Sequence, residues 1–199
     1  RHDILNKLMI IEGYLALLKE TTDPRQSQAF MDKIGTAAGV IKNILSFTRD
    51  YQNMGVRAPE WLDAGTVLAR QLEEFDIGQI AVRNNLLGVQ VYADPLLEKV
   101  MYNLIDNALR YGRNLTLITA GYTIKGDDLV CTIENDGVGI PEAEKERIFE
   151  RGVGKGSGLG LFLVREILAV TGMTIRETGE PDKGARFEIR VPKGKYRVG

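Results

Sequence analysis

Two apolar stripes at helical spacing occupy the first 53 residues of the chain, and a short polar break separates them. The first stripe consists of Ile4, Leu8, Ile11, Leu15 and Leu18. The second consists of Phe30, Ile34, Ala37, Ile41, Ile44 and Tyr51. Residues that recur every three or four positions share one face of a helix. Pro24 fits the first turn of the second helix with Asp23 as its cap, so residues 1–20 and 24–53 are predicted to form a helical hairpin.

A lone helical hairpin buries little apolar surface. The heptad-like seam therefore favours association of two hairpins into a four-helix bundle, and we expect a homodimer through the hairpin. On the pattern alone, a generic coiled-coil spacer is equally compatible with these residues.

Residues 54–60 break the helical pattern and are predicted to be a linker between an all-α domain (1–56) and a second domain (61–199). In the second domain the periodicity changes repeatedly. Helices are predicted at 63–75, 95–111 and 158–171, and strands at 80–84, 89–93, 115–124, 129–135, 174–178 and 185–191. Because this order lacks βαβ regularity, it indicates an α/β two-layer sandwich, with a mixed sheet covered by helices on one face.

Charge and cysteine content exclude several classes of function. The 26 basic and 27 acidic residues give a net charge of −1, so bulk charge does not favour nucleic acid or an anionic membrane surface as a partner. Cys131 is the only cysteine and His2 the only histidine. An internal disulfide is therefore excluded, and so in practice is a Cys/His metal site. Cys131 is expected to pack in the core.

The sequence contains no apolar run of membrane-spanning length. Because the chain begins with Arg1 rather than Met, we expect it to be a piece of a longer protein. Any membrane attachment is expected in a segment absent from these residues, and the residues themselves are expected to lie in the cytoplasm.

Three polar residues share one face of the predicted helix 95–111. Asn103, Asn107 and Arg110 are spaced four and three residues apart. Amide oxygens are suitable ligands for Mg²⁺, and a guanidinium presents a fork of donors to phosphate oxygens. The set favours a phosphate and metal site over the alternative of a solvated helix face.

Two glycine clusters follow in the second half of the chain. Gly137 and Gly139 permit positive φ and a close backbone approach to a planar ligand. The second cluster, with glycines at 154, 156, 158 and 160, leads directly into a predicted helix. Exposed N–H groups at such a helix start suit a phosphate chain. The cluster lacks the ending of a Walker loop and the strand that precedes a Rossmann fingerprint.

Together these motifs resemble the sequence boxes of the sensor histidine kinases. The segment from Asn103 to Tyr111 resembles their N box, and the segment from Asn135 to Ile140 is similar to their G1 box. Residues 147–151 are similar to the F box, and residues 156–161 resemble the G2 box. Order and spacing fit over about residues 60–192, so the resemblance implies the Bergerat ATP-binding fold.

The resemblance also implies ATP and Mg²⁺ as ligands. It assigns Mg²⁺ and phosphate to Asn103 and Asn107, phosphate to Arg110, and the base pocket to Tyr111. It makes residues 141–157 a short mobile lid over ATP, from which Lys155 reaches the phosphates. The other implied nucleotide contacts are Asn135, Asp136, Gly137, Gly139, Ile140, Gly156, Ser157, Gly158, Leu159 and Gly160.

One position departs from the family pattern. Such kinases usually carry an aspartate two residues before the first glycine of the G1 box, where it accepts a hydrogen bond from the adenine amino group. Here that position is Asn135, and Asp136 follows it. An amide oxygen accepts the same bond without charge assistance, so we expect adenine recognition to persist in weakened form.

The first residues resemble the H box of the same family. His2 lies beside the apolar seam, so its ring is expected to be accessible as the phosphoryl acceptor. Asp3 is positioned to hydrogen-bond one ring nitrogen and hold the tautomer, as an orienting carboxylate does in a catalytic triad. Asn6, one helical turn on, matches a polar residue that positions water for dephosphorylation of the partner, which suggests a bifunctional kinase and phosphatase.

Two alternatives compete with the kinase interpretation. Related hydrolases of the Bergerat fold place a glutamate at the position of Asn103 to activate water, and an amide is a poor general base. A non-catalytic dimerisation and docking module is the second alternative, and Asn135 leaves room for it. We predict autophosphorylation of His2 from ATP·Mg²⁺, followed by transfer to an aspartate of a response-regulator receiver domain.

Overall fold

The structure is a computed structural model that describes residues 2–154 and 158–199. Two long helices, α1 (His2–Glu20) and α2 (Pro24–Asn53), pack against each other as an antiparallel hairpin. The Asp23 carboxylate accepts a hydrogen bond from the Arg25 backbone N–H at 2.9 Å, and Pro24 occupies the first turn of α2. The predicted hairpin and its cap are therefore confirmed.

The second part of the chain contains eight strands and three helices among the described residues. The strands are β1 (Glu60–Asp63), β2 (Ala81–Asn84), β3 (Val89–Ala93), β4 (Leu117–Lys125), β5 (Asp128–Asn135), β6 (Thr174–Glu177), β7 (Arg186–Val191) and β8 (Tyr196–Val198). The helices are α3 (Ala64–Leu72), α4 (Leu97–Tyr111) and α5 (Gly160–Val170), with 3₁₀ turns at Glu142–Glu144 and Arg147–Phe149.

Five of the strands form a mixed sheet in the order β2-β4-β5-β7-β6, in which β2 and β4 are parallel and the other neighbours are antiparallel. The apolar faces of α3, α4 and α5 form one core with the inward side chains of this sheet. The predicted α/β sandwich is therefore confirmed. Strands β1, β3 and β8 form a separate antiparallel sheet, of which the sequence predicted only β3.

The start of α4 differs from the prediction. The helix predicted at 95–111 would begin at Pro95, with Asp94 in the usual position of a cap, but α4 begins at Leu97. The Asp94 side chain, only 2% exposed, instead accepts hydrogen bonds from the backbone N–H groups of Leu96 at 2.8 Å and Gly55 at 2.9 Å. Asp94 therefore ties the segment after α2 to the second domain. Only the sequence-distant partner, Gly55, distinguishes this role from an ordinary helix cap.

Cys131 lies in the core on β5. Burial raises the pKa of its thiol to about 12, and the thiolate is the reactive form of cysteine. We expect the folded protein to resist alkylation at pH 8 and to react rapidly once it is unfolded in urea. Mass spectrometry of iodoacetamide-treated samples measures both states, and rapid alkylation of the folded protein would contradict this placement.

Within the described part of the chain, no helix combines the length and the apolarity needed to cross a membrane.

Candidate nucleotide-binding site

A cavity of about 760 Å³ opens between the second domain and one face of α2. Residues of α4, the end of β5, the segment after it and the start of α5 line its walls. The predicted site residues that line it are Asn103, Asn107, Arg110, Tyr111, Asn135, Gly139, Ile140, Gly158, Leu159 and Gly160. The fold therefore brings together residues from three predicted boxes that are separated in sequence.

The amides of Asn103 and Asn107 have a fixed orientation on α4. Asn103 Nδ2 donates to the Lys99 carbonyl at 2.7 Å, and Asn107 Nδ2 donates to the Asn103 carbonyl at 2.8 Å. Because only the NH₂ end of an amide can donate to a carbonyl, the two Oδ1 atoms are the ends available to a ligand. Both side chains are half-buried, so a bound cation would meet oxygens that are already oriented.

Amide oxygens fit a hard cation such as Mg²⁺. Among the described residues, no group of three or more His, Cys, Asp or Glu side chains is arranged to hold a metal ion. An ion in this cavity would therefore depend on the asparagine oxygens together with the oxygens of a bound phosphate chain, which is how Mg²⁺ is commonly held with nucleotides.

Arg110 lies at the rim of the cavity and is paired within its own helix. Its Nε lies 2.7 Å from Asp106 Oδ1, and this hydrogen bond raises the pKa of the guanidinium. The pair fixes the side chain but consumes one of its donors. Asp106 also lines the cavity, and its i, i+4 spacing to Arg110 was available in the sequence.

Asn135 is buried at the end of β5, with 6% of its surface exposed. Its Oδ1 accepts a hydrogen bond from the Gly137 backbone N–H at 3.1 Å. A carbonyl oxygen has two lone pairs, so the atom retains acceptor capacity toward the cavity. The neighbouring residue, Asp136, does not line the cavity.

Asp136 instead holds the start of β4. Its Oδ1 accepts hydrogen bonds from the backbone N–H groups of Thr116 and Leu117, each at 2.9 Å, and the Thr116 hydroxyl donates to its Oδ2. Desolvation acts to raise the pKa of the Asp136 carboxyl, but the hydrogen bonds from Thr116 and Leu117 outweigh it and lower the pKa. Asp136 was predicted to contact the nucleotide, and in the structure its carboxylate instead holds the start of β4 in place.

The two glycines of the predicted G1 box are needed for close packing. Neither Gly137 nor Gly139 has a positive φ, so neither uses the left-handed backbone that glycine permits. A Cβ on Gly137 would lie 2.1 Å from the Gly112 carbonyl oxygen, and one on Gly139 would lie 2.5 Å from that of Glu180. The first contact packs the segment after β5 against the end of α4, and the second packs it against the loop between β6 and β7, so protein backbone lies close to both glycines.

The start of α5 is better suited to bind a phosphate chain than the segment after β5 is. Its cap residue, Leu159, provides no side-chain hydrogen bond to the first turn, and free N–H groups at a helix start attract anions. Gly158 has φ +62°, and a Cβ on Gly160 would lie 2.6 Å from Asn103 Oδ1. Glycine at 160 therefore lets α4 and α5 meet at the cavity. The predicted contacts Lys155, Gly156 and Ser157 lie outside the described residues.

The predicted acceptor lies at the free end of the hairpin. His2, Asp3 and Asn6 are all exposed on α1. Asn6 Nδ2 lies 3.1 Å from His2 Nδ1, whereas Asp3 makes no hydrogen bond with His2 in the described structure. Asn6 therefore occupies the orienting position that the sequence assigned to Asp3. None of the three lines the cavity.

Comparison with known proteins identifies this arrangement. Residues 93–195 match the family described as histidine kinase-, DNA gyrase B- and HSP90-like ATPases. The chain belongs to this family. Its relatives narrow the assignment to the catalytic core of a two-component sensor histidine kinase, with an ATP-binding domain.

Two relatives match almost the whole chain. It is 38% identical to the alginate biosynthesis sensor protein KinB of Pseudomonas aeruginosa, over 96% of the chain and 35% of KinB. It is 25% identical to the sensor protein KdpD of Escherichia coli, over 96% of the chain and 23% of KdpD. The chain thus spans well under half the length of these curated relatives.

Solved structures share the arrangement of hairpin and sandwich. The histidine kinase AdeS of Acinetobacter baumannii matches with a TM-score of 0.67 and 20% identity, over 98% of both chains. The histidine kinase ThkA, solved in complex with the response regulator protein TrrA, matches with a TM-score of 0.67 and 21% identity, over 98% of this chain and 60% of that one. At these identities the likeness shows the fold.

In this kinase core the hairpin itself closes one side of the nucleotide cavity, which sequence reasoning missed. The α2 residues that line the cavity are Lys42, Asn43, Ser46, Phe47 and Asp50. Phe162, in the first turn of α5, packs against Phe47 and Tyr51 with ring centroids 6.1 Å and 6.4 Å apart. The 42, 46, 50 spacing places these residues on one helical face, but only the folded chain shows what that face contacts.

Proposed function

We propose that this core binds ATP with Mg²⁺ in the cavity, transfers the terminal phosphoryl group to His2, and then passes it to an aspartate of a response-regulator receiver domain. One observation carries the proposal. One cavity contains the oxygens of Asn103 and Asn107 and the uncapped start of α5, and the hairpin that carries His2 forms one of its walls.

Nucleotide binding follows from the walls of the cavity. Asn135 offers an oxygen to the adenine amino group near Gly139 and Ile140, and the triphosphate extends towards the start of α5, where backbone N–H groups receive it. Asn103 and Asn107 supply oxygens to Mg²⁺, which when bound neutralises charge on the phosphates. Arg110 contributes further positive charge at the rim while Asp106 holds it in place.

Phosphoryl transfer requires a neutral imidazole whose reacting nitrogen has a free lone pair. Nε2 of His2 attacks the terminal phosphorus, the bond to the bridging oxygen breaks, and its electron pair leaves with ADP. This form of the ring carries its proton on Nδ1. Asn6 lies within reach of Nδ1 and accepts that proton's hydrogen bond once a half-turn of the amide exchanges its oxygen and nitrogen. Asn6 then positions the acceptor.

The partners follow from the exposed hairpin. Leu5, Leu8, Met9 and Leu15 all lie exposed on α1, with 68% of Met9 accessible, and such apolar surface is typically covered by another subunit. We propose homodimerisation through this surface. We also propose a response regulator as a partner, because the chain belongs to the kinase family and because ThkA was solved in complex with a response regulator. The core would work in the cytoplasm, where ATP is present.

A labelling experiment tests the proposed activity. The protein is incubated with Mg²⁺ and ATP labelled in the terminal phosphate, and the bound label is then exposed to acid and to base. We expect label that is lost in acid and retained in base, as a phosphorus–nitrogen bond requires. Release of ADP and phosphate with no protein-bound label would instead support hydrolysis, and nucleotide binding without either would support a docking module.

Replacing Asn6 by alanine is expected to impair dephosphorylation of the phosphorylated receiver domain by at least about ten-fold, because a water-positioning group is lost. Some slowing of His2 phosphorylation is also expected, because the Nδ1 contact is lost. The assay follows release of phosphate from labelled receiver domain. Lys7→Ala, a half-buried neighbour on the same helix, is the control. Unchanged dephosphorylation in Asn6→Ala would remove this role.

A further inference from the structure

Lys42 has a position on α2 that the nucleotide-binding boxes do not explain. It lines the cavity although it belongs to the hairpin. Its side chain is exposed, and its ammonium makes no hydrogen bond or ion pair within the described structure. A free ammonium is a mobile point charge with three donors, well suited to phosphate.

The packing of the hairpin places Lys42 level with His2. Tyr14 of α1 contacts Phe30 of α2, with ring centroids 5.6 Å apart. In an antiparallel pair, each step towards the start of one helix matches a step towards the end of the other. His2 is twelve residues before Tyr14, and Lys42 is twelve residues after Phe30. The two side chains therefore lie at the same height along the hairpin.

The aromatic contact between α5 and α2 shows where the start of α5 lies relative to Lys42. Phe162, in the first turn of α5, packs on Phe47, so the phosphate-binding start of α5 lies beside that part of α2. Lys42 is five residues nearer the His2 end, or about 7.5 Å along the helix axis. A phosphate chain that leads from the start of α5 towards His2 therefore passes Lys42.

We propose that Lys42 is a catalytic residue of the hairpin that contacts the terminal phosphate of ATP during its transfer to His2. This inference rests on the proposed function and deepens it. The ammonium would draw the terminal phosphate out of the cavity towards His2. It would also offset the negative charge on the terminal phosphate and the bridging oxygen as the bond between them breaks. The other charged residue on this face, Asp50, lies two turns further from His2 and is 6% exposed.

The test compares ATP with ADP, because only ATP carries the phosphate that Lys42 would contact. In Lys42→Met, we expect ATP affinity to fall by about ten-fold while ADP affinity stays within about two-fold of wild type, as for loss of one charge-assisted contact. Calorimetric titrations in the presence of Mg²⁺ measure both without relying on turnover. The rate of His2 labelling at saturating ATP should also fall by about ten-fold or more.

Two further variants separate a phosphate contact from a structural effect. Lys42→Arg keeps the positive charge and should recover most of the ATP preference. Lys33→Met removes an exposed lysine nine residues earlier on α2 that does not line the cavity, and should behave as wild type. An unchanged ATP-to-ADP affinity ratio in Lys42→Met, or an equal loss in Lys33→Met, would overturn the proposal. If wild type takes no label, the proposed function fails, and the affinity ratio still tests Lys42.

Discussion

Replacing His2 by glutamine is expected to abolish incorporation of phosphoryl groups and leave ATP binding unchanged. Glutamine keeps a polar group of similar length but has no nitrogen lone pair able to attack phosphorus. His2 is the only histidine of the chain, so no second imidazole can replace it. Because His2 is exposed and outside the cavity, neither folding nor nucleotide affinity should change.

Labelling with ATP and calorimetric titration of the same preparation measure the two halves of this prediction. Asp3→Asn is an informative companion. In the structure Asn6, and not Asp3, contacts the His2 ring. The rate of His2 labelling in Asp3→Asn therefore measures how much the negative charge of Asp3 contributes to phosphorylation without a hydrogen bond to the ring. Acid-labile label that persists in His2→Gln would show that the acceptor is another residue.

Replacing Asn107 by alanine is expected to reduce His2 labelling on the order of 100-fold, the scale seen when one group that stabilises transition-state charge is removed. The Asn107 Nδ2 is used by the Asn103 carbonyl at 2.8 Å, so its Oδ1 is the atom offered to Mg²⁺. The alanine variant should keep the helix, because alanine is the best helix former.

The dependence of ATP affinity on Mg²⁺ distinguishes metal binding from general damage. In wild type, ATP should bind more tightly with Mg²⁺ than with a chelator present, and in Asn107→Ala this difference should largely disappear. Asn85→Ala, which removes an exposed asparagine of the same domain outside the cavity, should retain it. A full Mg²⁺ effect in Asn107→Ala would contradict the assignment.

Features that depend on neighbouring residues were predictable from the sequence. The hairpin follows from apolar periodicity, and the cap at Asp23 follows from the residue types at a helix start. The shared face of Asn103, Asn107 and Arg110 follows from helical geometry, and the structure places all three on the cavity. Cys131 was expected in the core and lies there.

Features that depend on distant contacts were not predictable. β8 pairs with β3, which lies about a hundred residues earlier in the chain, and its three residues are too few to show the alternation that predicts a strand. Asp94 has the sequence of a helix cap, but its partner Gly55 belongs to the linker. Gly137 and Gly139 were expected to approach a ligand closely, and Gly139 lines the cavity, but the sequence did not show that the backbones of Gly112 and Glu180 leave no room for a Cβ at these two positions.

The roles of Asn135 and Asp136 illustrate the same limit within the site. The sequence placed both in the G1 box, and their side chains differ only by an amide in place of a carboxylate. Alternation along β5 directs Asn135 towards the cavity, while Asp136 binds the start of β4 through Thr116 and Leu117. Which of two adjacent polar residues faces the cavity is decided by the register of the strand with its neighbours.

The most direct test of the central claim is to locate the phosphoryl group itself. The protein is incubated with ATP and Mg²⁺, kept at neutral to basic pH, digested, and sequenced by tandem mass spectrometry. The phosphoryl group is predicted on His2, in the peptide that also carries Asp3 and Asn6. A phosphoryl group on any other residue, or ATP turnover that leaves His2 unmodified, would contradict the account.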